Sequence, residues 1–481
     1  MRGLRRALLA ALAVLVGTAG CGGAEPVAPG PSTAVTYRDP DGDAVLERGP
    51  GEPLADRTEL APRAALGRPL ALFAHLTDVH VLDEESPARL PVLDRLGAPF
   101  QSAFRPQEAL TAQVFAAMVR SLNELRPQAV AMTGDLIDNA QANELDQALA
   151  VLRGGRVDPA SGRRGYDGPQ AASGADPLFY RPDVDAPRFP GLLARAQRPF
   201  FSPGLRAPWH PLVGNHDVLA QGLARPTPQI KAVAQGNRTL AELDEGIEVP
   251  RDEARLSPEV VDRALSGGLP GRTERVPADS DRRQLAASAV ARRLRAASGQ
   301  GGSGPRLDAA YDIGANLRAI NLDVVSREGG SRGRVAAGQE AFLRRELRRA
   351  GRRWVVVFSH NALLSSAGGE ALLSQLDRHP RVAAVVSGNS HRNRIVPRRT
   401  PGGGYWLVST SSLIDYPQQS RAFRLVETAG GGAALETWMI DHAGDRLADV
   451  SRELAYVDAQ GGRPKRAAGG PADRNVRLFL R

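Results

Sequence analysis

The sequence predicts an α/β protein in which several strands deliver polar residues to one shared site. Three observations carry this expectation. Short apolar runs recur along the chain, five of them end in Asp, Asn or His, and helix-like stretches lie between them. In α/β sheets ligands bind in the crevice beyond the carboxyl ends of strands, so five such ends predict one site rather than five unrelated polar loops.

Residues 69–76 read as a buried strand that ends in Thr77-Asp78-Val79-His80. A helix over about 107–125 leads to an apolar strand at 128–132, followed by Thr133-Gly134-Asp135. The pattern returns where 209–213 precede Gly214-Asn215-His216-Asp217 and where 354–358 precede Ser359-His360. It recurs once more where 382–386 precede Ser387-Gly388-Asn389-Ser390-His391.

Two long interruptions separate these elements. Residues 154–202 are rich in Gly, Pro and Asp, and 218–305 contain helix-like stretches near 258–265 and 282–297. Loops of this length usually carry function or lack order, so the first is expected over the surface near the site and the second as a small helical cap. Further on, 317–323 read as a strand, 337–350 as an amphipathic helix, and 405–410, 422–427 and 434–440 as closing strands. The expected organisation is a signal peptide at 1–20, a Pro/Gly-rich tether and lead-in at 21–66 and one large domain over 67–445. A partly loose C-terminal extension follows at 446–481.

The 481 residues, 42% of them apolar, suffice for a large core. Lysine occurs only at Lys231 and Lys465, and the dominance of Arg with abundant Ala, Gly and Pro looks like GC-rich coding, which discounts the basicity. Removing Arg2, Arg5 and Arg6 takes three of the nine formal charges and leaves +6. No basic block is interleaved with aromatics, so nucleic acid is not an expected partner.

Arg2, Arg5 and Arg6 precede a short apolar stretch at 7–16 and the small residues Gly17-Thr18-Ala19-Gly20, the pattern of a signal peptide too short to span a membrane. Cys21, the only cysteine, follows directly and resembles the lipidated cysteine of a bacterial lipobox, although Thr18 stands where that motif usually has Leu. The expected location is therefore the cell envelope as a membrane-anchored lipoprotein, otherwise secreted. The sequence sets no oligomeric state.

Hydrolysis of a phosphoester requires neutralised phosphoryl oxygens, a nucleophile made from water and a proton for the departing alkoxide. A pair of divalent metals meets the first two needs. The ordered set D-x-H, G-D-x-x-D, G-N-H-D, a strand-end His and a final G-x-x-H resembles the calcineurin-like metallophosphoesterases over about 72–440. Stretches 86–108 and 411–421 resemble exported bacterial members with long insertions. The resemblance implies a four-layer αββα sandwich, two mixed β-sheets flanked by helices. It also implies a phosphate-ester substrate and two divalent metal ions, with Mn, Fe, Zn, Mg and Ca not distinguished.

Carried over by motif position, the resemblance implies that Asp78, His80 and His391 hold the first metal, Asp135 bridges, and Asn215 and His360 hold the second. His216 matches the residue that contacts the phosphoryl group and protonates the leaving group, with Asp217 as its orienting partner. The family pattern G-H-x-H is here Gly388-Asn389-Ser390-His391, so Asn389 replaces one histidine of the second metal. An amide oxygen is a harder and weaker ligand, which shifts preference from zinc toward manganese, magnesium or calcium.

Asp138 and Asn139 suit either a supporting contact or a helix cap. Asp323 suits a turn or a ligand-orienting role, and His75, His210, His379 and His442 match no motif position and read as structural. Arg105, Arg392 and Arg421 are candidate phosphate contacts, since guanidinium forks match phosphate oxygens. The competing function is a non-catalytic envelope binding protein that keeps the fold with a weakened second metal site.

Overall fold

In the computed structural model, two β-sheets lie face to face with helices on the outer side of each. Residues 31–97, 100, 102–174, 176–245, 262–460 and 467–481 are described. The signal-like segment and Cys21 lie outside the described residues. Among the described residues, no helix is long and apolar enough to cross a membrane.

The first sheet contains β1 (Ala55–Arg57), β2 (Leu66–Leu76), β3 (Ala129–Met132) and β4 (Trp209–Pro211). The second contains β5 (Ala309–Ile313), β6 (Leu317–Leu322), β7 (Trp354–Ser359), β8 (Val382–Ser387), β9 (Arg394–Arg398) and β10 (Tyr405–Ser409). The chain then returns to the first sheet with β11 (Gln419–Thr428), β12 (Ala433–Asp441) and β13 (Val476–Leu480). Spatial order is β1-β13-β12-β11-β2-β3-β4 in one sheet and β5-β6-β7-β8-β10-β9 in the other. The neighbours β2, β3 and β4 are parallel, as are β6, β7, β8 and β10. All five strands that end in polar residues are thus in parallel runs, and their carboxyl ends meet at one edge of the sandwich.

Side-chain alternation explains why β7 and β8 read as unbroken apolar runs. Val356 and Phe358 face the inter-sheet core, while Val355 and Val357 pack with Leu343, Leu347 and Leu372 of the outer helices α4 (Gln339–Ala350) and α5 (Gly369–Leu376). Beneath the site, Phe73 stacks on Phe423 with ring centroids 5.0 Å apart and meets Phe358 of the facing sheet edge-on at 6.1 Å. The opposite helical layer includes α1 (Thr111–Leu125), α2 (Ala142–Arg153) and α3 (Ala287–Ser298), which bury Phe115, Leu145, Val290 and Leu294 in the same core. The expected four-layer arrangement is the one observed.

Three boundaries differ from expectation. In the second interruption, α3 belongs to the helical layer rather than to a cap, because its Val290, Ala291 and Leu294 form an apolar stripe that the sheet covers. The rest of that interruption is a mixed lobe: a helix at Pro228–Gln235 and a hairpin pairing Arg238–Leu240 with Thr273–Arg275. Ile230 and Leu265 of this lobe pack on Leu90, Leu93 and Phe100. The expected helix start at 258 lies outside the described residues.

The C-terminal extension is integrated into the fold. Helix α6 (Arg446–Gln460) packs Leu454 against Leu110 and Leu192, and β13 pairs with β12. The lead-in contributes β1, which runs parallel to β13. The run Val476-Arg477-Leu478-Phe479-Leu480 has too much apolar surface to remain in water, with Val476, Leu478, Phe479 and Leu480 all buried. Leu478→Ala should therefore lower stability by about 3 kcal/mol in urea unfolding. A change within error would contradict the integration of this strand.

Candidate metal centre

Each candidate ligand sits just past a strand end, where the chain turns sharply. Asp78, His80, Asp135, Asn389 and His391 all adopt left-handed backbone, with φ of 53°, 49°, 47°, 62° and 54°. Such conformations cost about 1 kcal/mol or more for residues with a Cβ and cluster at functional sites. Backbone bonds from Asp78 N–H to Gly134 O (3.0 Å) and from His80 N–H to Asp135 O (2.9 Å) lock the first two turns together.

Two motif glycines are required by close approach. A Cβ on Gly214 would lie 2.0 Å from Asp135 Oδ1, and one on Gly388 would lie 2.0 Å from Thr77 Oγ1. The Gly-Asn and Gly-Asp pairs in the sequence thus mark places where one strand exit presses on another.

Asp78, His80, Asp135 and His391 bring one ligand atom each within 4.8 Å of one another. His80 Nε2 and His391 Nε2 are 3.3 Å apart, and His391 Nε2 is 3.4 Å from Asp78 Oδ1. On the other side, His360 Nε2 lies 3.0 Å from Asn215 Oδ1. Asp135 stands between the two groups: its Oδ2 is 3.8 Å from His80 Nε2 and 3.3 Å from His360 Nε2. Its Oδ1 accepts from the His216 backbone N–H at 2.8 Å. Asn215 is oriented because its Nδ2 donates to Gly222 O at 3.0 Å, which leaves Oδ1 to face His360.

The histidine Nδ1 atoms all have acceptors. His80 Nδ1 lies 2.8 Å from Asp138 Oδ1, His360 Nδ1 lies 2.8 Å from Thr133 O, and His391 Nδ1 meets Asp415 Oδ2. Proton-bearing Nδ1 atoms leave three Nε2 lone pairs converging with the carboxylates of Asp78 and Asp135. Facing lone pairs of this kind repel one another until a cation or additional protons enter, so the donor set fits divalent metal.

The electrostatics agree with a site built for positive charge. Burial alone would depress His391, but Asp78 and Asp415 outweigh it and push its pKa up to about 10. For His360 the same balance, with Asp135 as the main opposing charge, gives about 9. Burial favours the neutral form of Asp135, yet His360 and His216 hold its carboxyl below the usual range.

Three aspartates refine or correct the sequence reading. Asp138 is no helix cap, since Gln141 and Glu144 cap α2; it contacts His80 and also His216, whose Nδ1 is 2.7 Å from Asp138 O and 3.4 Å from Asp138 Oδ1. Asp217, expected to orient His216, instead accepts from Gly214 N–H at 2.7 Å and Ile137 N–H at 3.0 Å, so it ties two loops together. Asp415 lies far beyond His391 in a loop without local pattern, and nothing in the sequence singled it out as a histidine partner.

Asn389 enters through its backbone, donating N–H to both Asp78 oxygens at 3.1 and 3.0 Å, with its side chain half-buried. Two of the three candidate phosphate arginines are committed elsewhere. Arg105 Nε donates to Asp415 Oδ1 at 2.7 Å, and fully buried Arg421 serves Asn393 Oδ1 and the carbonyls of Asp473 and Arg474. Arg392 is exposed. Asp323 accepts from Leu307 N–H and Arg327, which is a turn role.

No protein-family model and no curated protein matches the chain. Among solved structures, it is similar to a dimetal phosphatase from Danio rerio at 14% identity, covering 78% of this chain and 97% of that one with a TM-score of 0.39. It is also similar to PhoD at 11% identity over 87% and 81% of the two chains, TM-score 0.32. A purple acid phosphatase from yellow lupin (Lupinus luteus) seeds aligns at 11% identity over 82% and 54%, TM-score 0.33. Likenesses this distant carry no argument about chemistry, which rests on the residues above.

Metal uptake must displace the extra protons on His360 and His391. Affinity for a divalent metal should therefore rise as pH is raised toward the range of about 9 to 10 where these groups deprotonate. Calorimetric titration in buffers of different ionisation heat should register proton release. Affinity that falls with rising pH contradicts the assignment.

Proposed function

We propose that this chain is a metal-dependent phosphoesterase that hydrolyses phosphomonoesters or phosphodiesters outside the cytoplasm. The observation that carries the reading is the position of Asp135, a buried carboxylate shared between an Asp78–His80–His391 group and an Asn215–His360 group, with His216 alongside. Asp78, His80 and His391 would hold a first cation, Asn215 and His360 a second, and Asp135 both. A pair of divalent cations held there would neutralise phosphoryl charge and make water nucleophilic at ordinary pH.

The proton for the departing alkoxide is assigned to His216. Burial would lower its pKa, but Asp135 and Asp138 raise it to about 9, so these two carboxylates favour the protonated ring. Asp138 engages the Nδ1 edge, which leaves Nε2 to face the substrate. The His216 and His391 side chains retain 24% and 15% exposure, against 1% or less for His80, His360 and Asp78. Substrate thus approaches from the side bounded by those two histidines.

Asn389 is proposed as a weak ligand of the second cation. Its left-handed backbone is one that histidine tolerates better than most residues. Asn389→His should tighten the second cation and retain activity. Equal stoichiometry and affinity in metal titrations of the two proteins would remove Asn389 from the site.

Export is supported by the charged, apolar and small-residue order of the first twenty residues, and lipid attachment by the place of Cys21. Mass spectrometry of the membrane fraction tests both, and a mature N-terminus other than acylated Cys21 ends the lipoprotein reading.

Activity is tested with p-nitrophenyl phosphate and its bis ester across several divalent metals. Asp135→Asn should abolish turnover through metal loss, and His216→Ala should lower kcat by about 100-fold or more with metal retained. Absence of turnover with every metal, or full turnover in both variants, would favour a non-catalytic binding protein.

A further inference from the structure

His75 matches no motif, yet it lies fully buried beneath the candidate metal centre in a chain of hydrogen bonds that ends on Asp78. Thr77 Oγ1 donates to Asp78 Oδ2 at 2.7 Å, and Thr133 Oγ1 donates to Thr77 Oγ1 at 2.8 Å. His75 Nε2 is 2.8 Å from Thr133 Oγ1, and His75 Nδ1 is 2.8 Å from Thr410 Oγ1. Three strands contribute: β2 and its exit and the exit of β3 in the first sheet, and the exit of β10 in the second.

Counting protons fixes the direction of every link. An ionised carboxylate only accepts, so the Thr77 hydroxyl proton is spent on Asp78. The proton between Thr133 and Thr77 must then belong to Thr133, and the one between His75 and Thr133 must be on His75 Nε2. Among the described residues both ring nitrogens of His75 meet threonine hydroxyls and neither meets a carboxylate, and burial holds the ring neutral, with its pKa down to about 3. Nδ1 is therefore an acceptor, and Thr410 supplies the remaining proton.

We infer that His75, as the neutral Nε2–H tautomer, anchors a one-way relay from Thr410 through His75, Thr133 and Thr77 that fixes Asp78 Oδ2 and thereby raises affinity for the cation on the Asp78 side. The inference rests on the metal-binding reading proposed above. His75 is a positioning residue in this scheme, since it touches neither cation nor substrate. The ring suits the task because a neutral imidazole donates from one nitrogen and accepts at the other across a single rigid plane. The Gly388 Cα lies tight against Thr77, where a Cβ would meet Oγ1 at 2.0 Å, so the relay has no room to shift. Because Thr410 follows a strand of the second sheet, the relay also makes the packing of the two sheets a condition of ligand geometry.

The test combines a spectroscopic and a binding measurement on the whole protein. Nitrogen-15 NMR of the histidine rings should show a proton on His75 Nε2 and a bare Nδ1. Thr77→Val and His75→Phe should each weaken manganese binding by about 10-fold, and the double variant should lose little more than either single one. Thr77→Ser, which keeps the hydroxyl, should bind as the original does, with circular dichroism confirming that all variants fold. A proton on Nδ1, or unchanged manganese affinity in folded Thr77→Val, overturns the relay. If the unaltered protein binds no manganese or other divalent metal, the metal-binding reading fails and the role of the relay in metal affinity fails with it, whereas the tautomer still reports whether the hydrogen-bond order is correct.

Discussion

Two ionisable carboxylates, Asp78 and Asp135, are sunk into the seam where the sheets meet, and the surrounding architecture is a response to their charge. Taking a carboxylate out of water costs several kcal/mol unless opposite charge and hydrogen bonds replace the solvent. Here Asp78 is 0% and Asp135 1% exposed. Their surroundings supply what water would have: backbone N–H groups from Asn389 and His216, the Thr77 hydroxyl, and the rings of His360 and His391. Parallel strands make this possible, because their exits deliver the Asp, His and Asn side chains to the same edge from both sheets.

A second tier of charge stands behind the histidines. Arg89 forks onto Glu108 with contacts of 2.5 and 2.9 Å and lies 3.5 Å from Asp138, which backs His80 and His216. Arg105 donates from its side chain to Asp415, which backs His391, and from its backbone to Glu108 at 2.8 Å. Glu108 therefore couples both backing carboxylates through two arginines. The stretches 86–108 and 411–421, which resemble exported bacterial members, therefore brace the candidate ligand histidines. Buried networks of this type hold geometry more than they add stability, and deleting one member leaves another charge unpaired.

Much of this was legible in the sequence because strand ends impose a simple pattern. A short apolar run that stops at Gly-Asp or Gly-Asn reports both the buried strand and the close approach that demands glycine, as at Asp135, Asn215 and Asn389, while Asp78, His80 and His360 are legible from the polar end of the run alone. Less legible was whatever depended on tertiary pairing. Asp217 neighbours His216 in sequence, but successive residues in a helical turn point in different directions, so it caps the loop while Asp138 reaches the ring. Asp415 and His75 carry no local signature, since their partners come from distant strands. Arg105 and Arg421 looked like phosphate contacts only because the sequence gives no measure of burial. The strand within the C-terminal extension is not legible because its five residues follow a long polar stretch, and only the paired edge of β12 explains where they go.

The central claim is that these converging residues form a metal centre with Asp135 shared between two positions. Crystals grown with manganese and measured for anomalous scattering test it most directly. The account predicts one strong peak among Asp78, His80, Asp135 and His391, and a second, weaker one about 3.5 to 4 Å away beside Asn215 and His360. A map with no anomalous peak between these side chains, at manganese concentrations that saturate binding in solution, would contradict it.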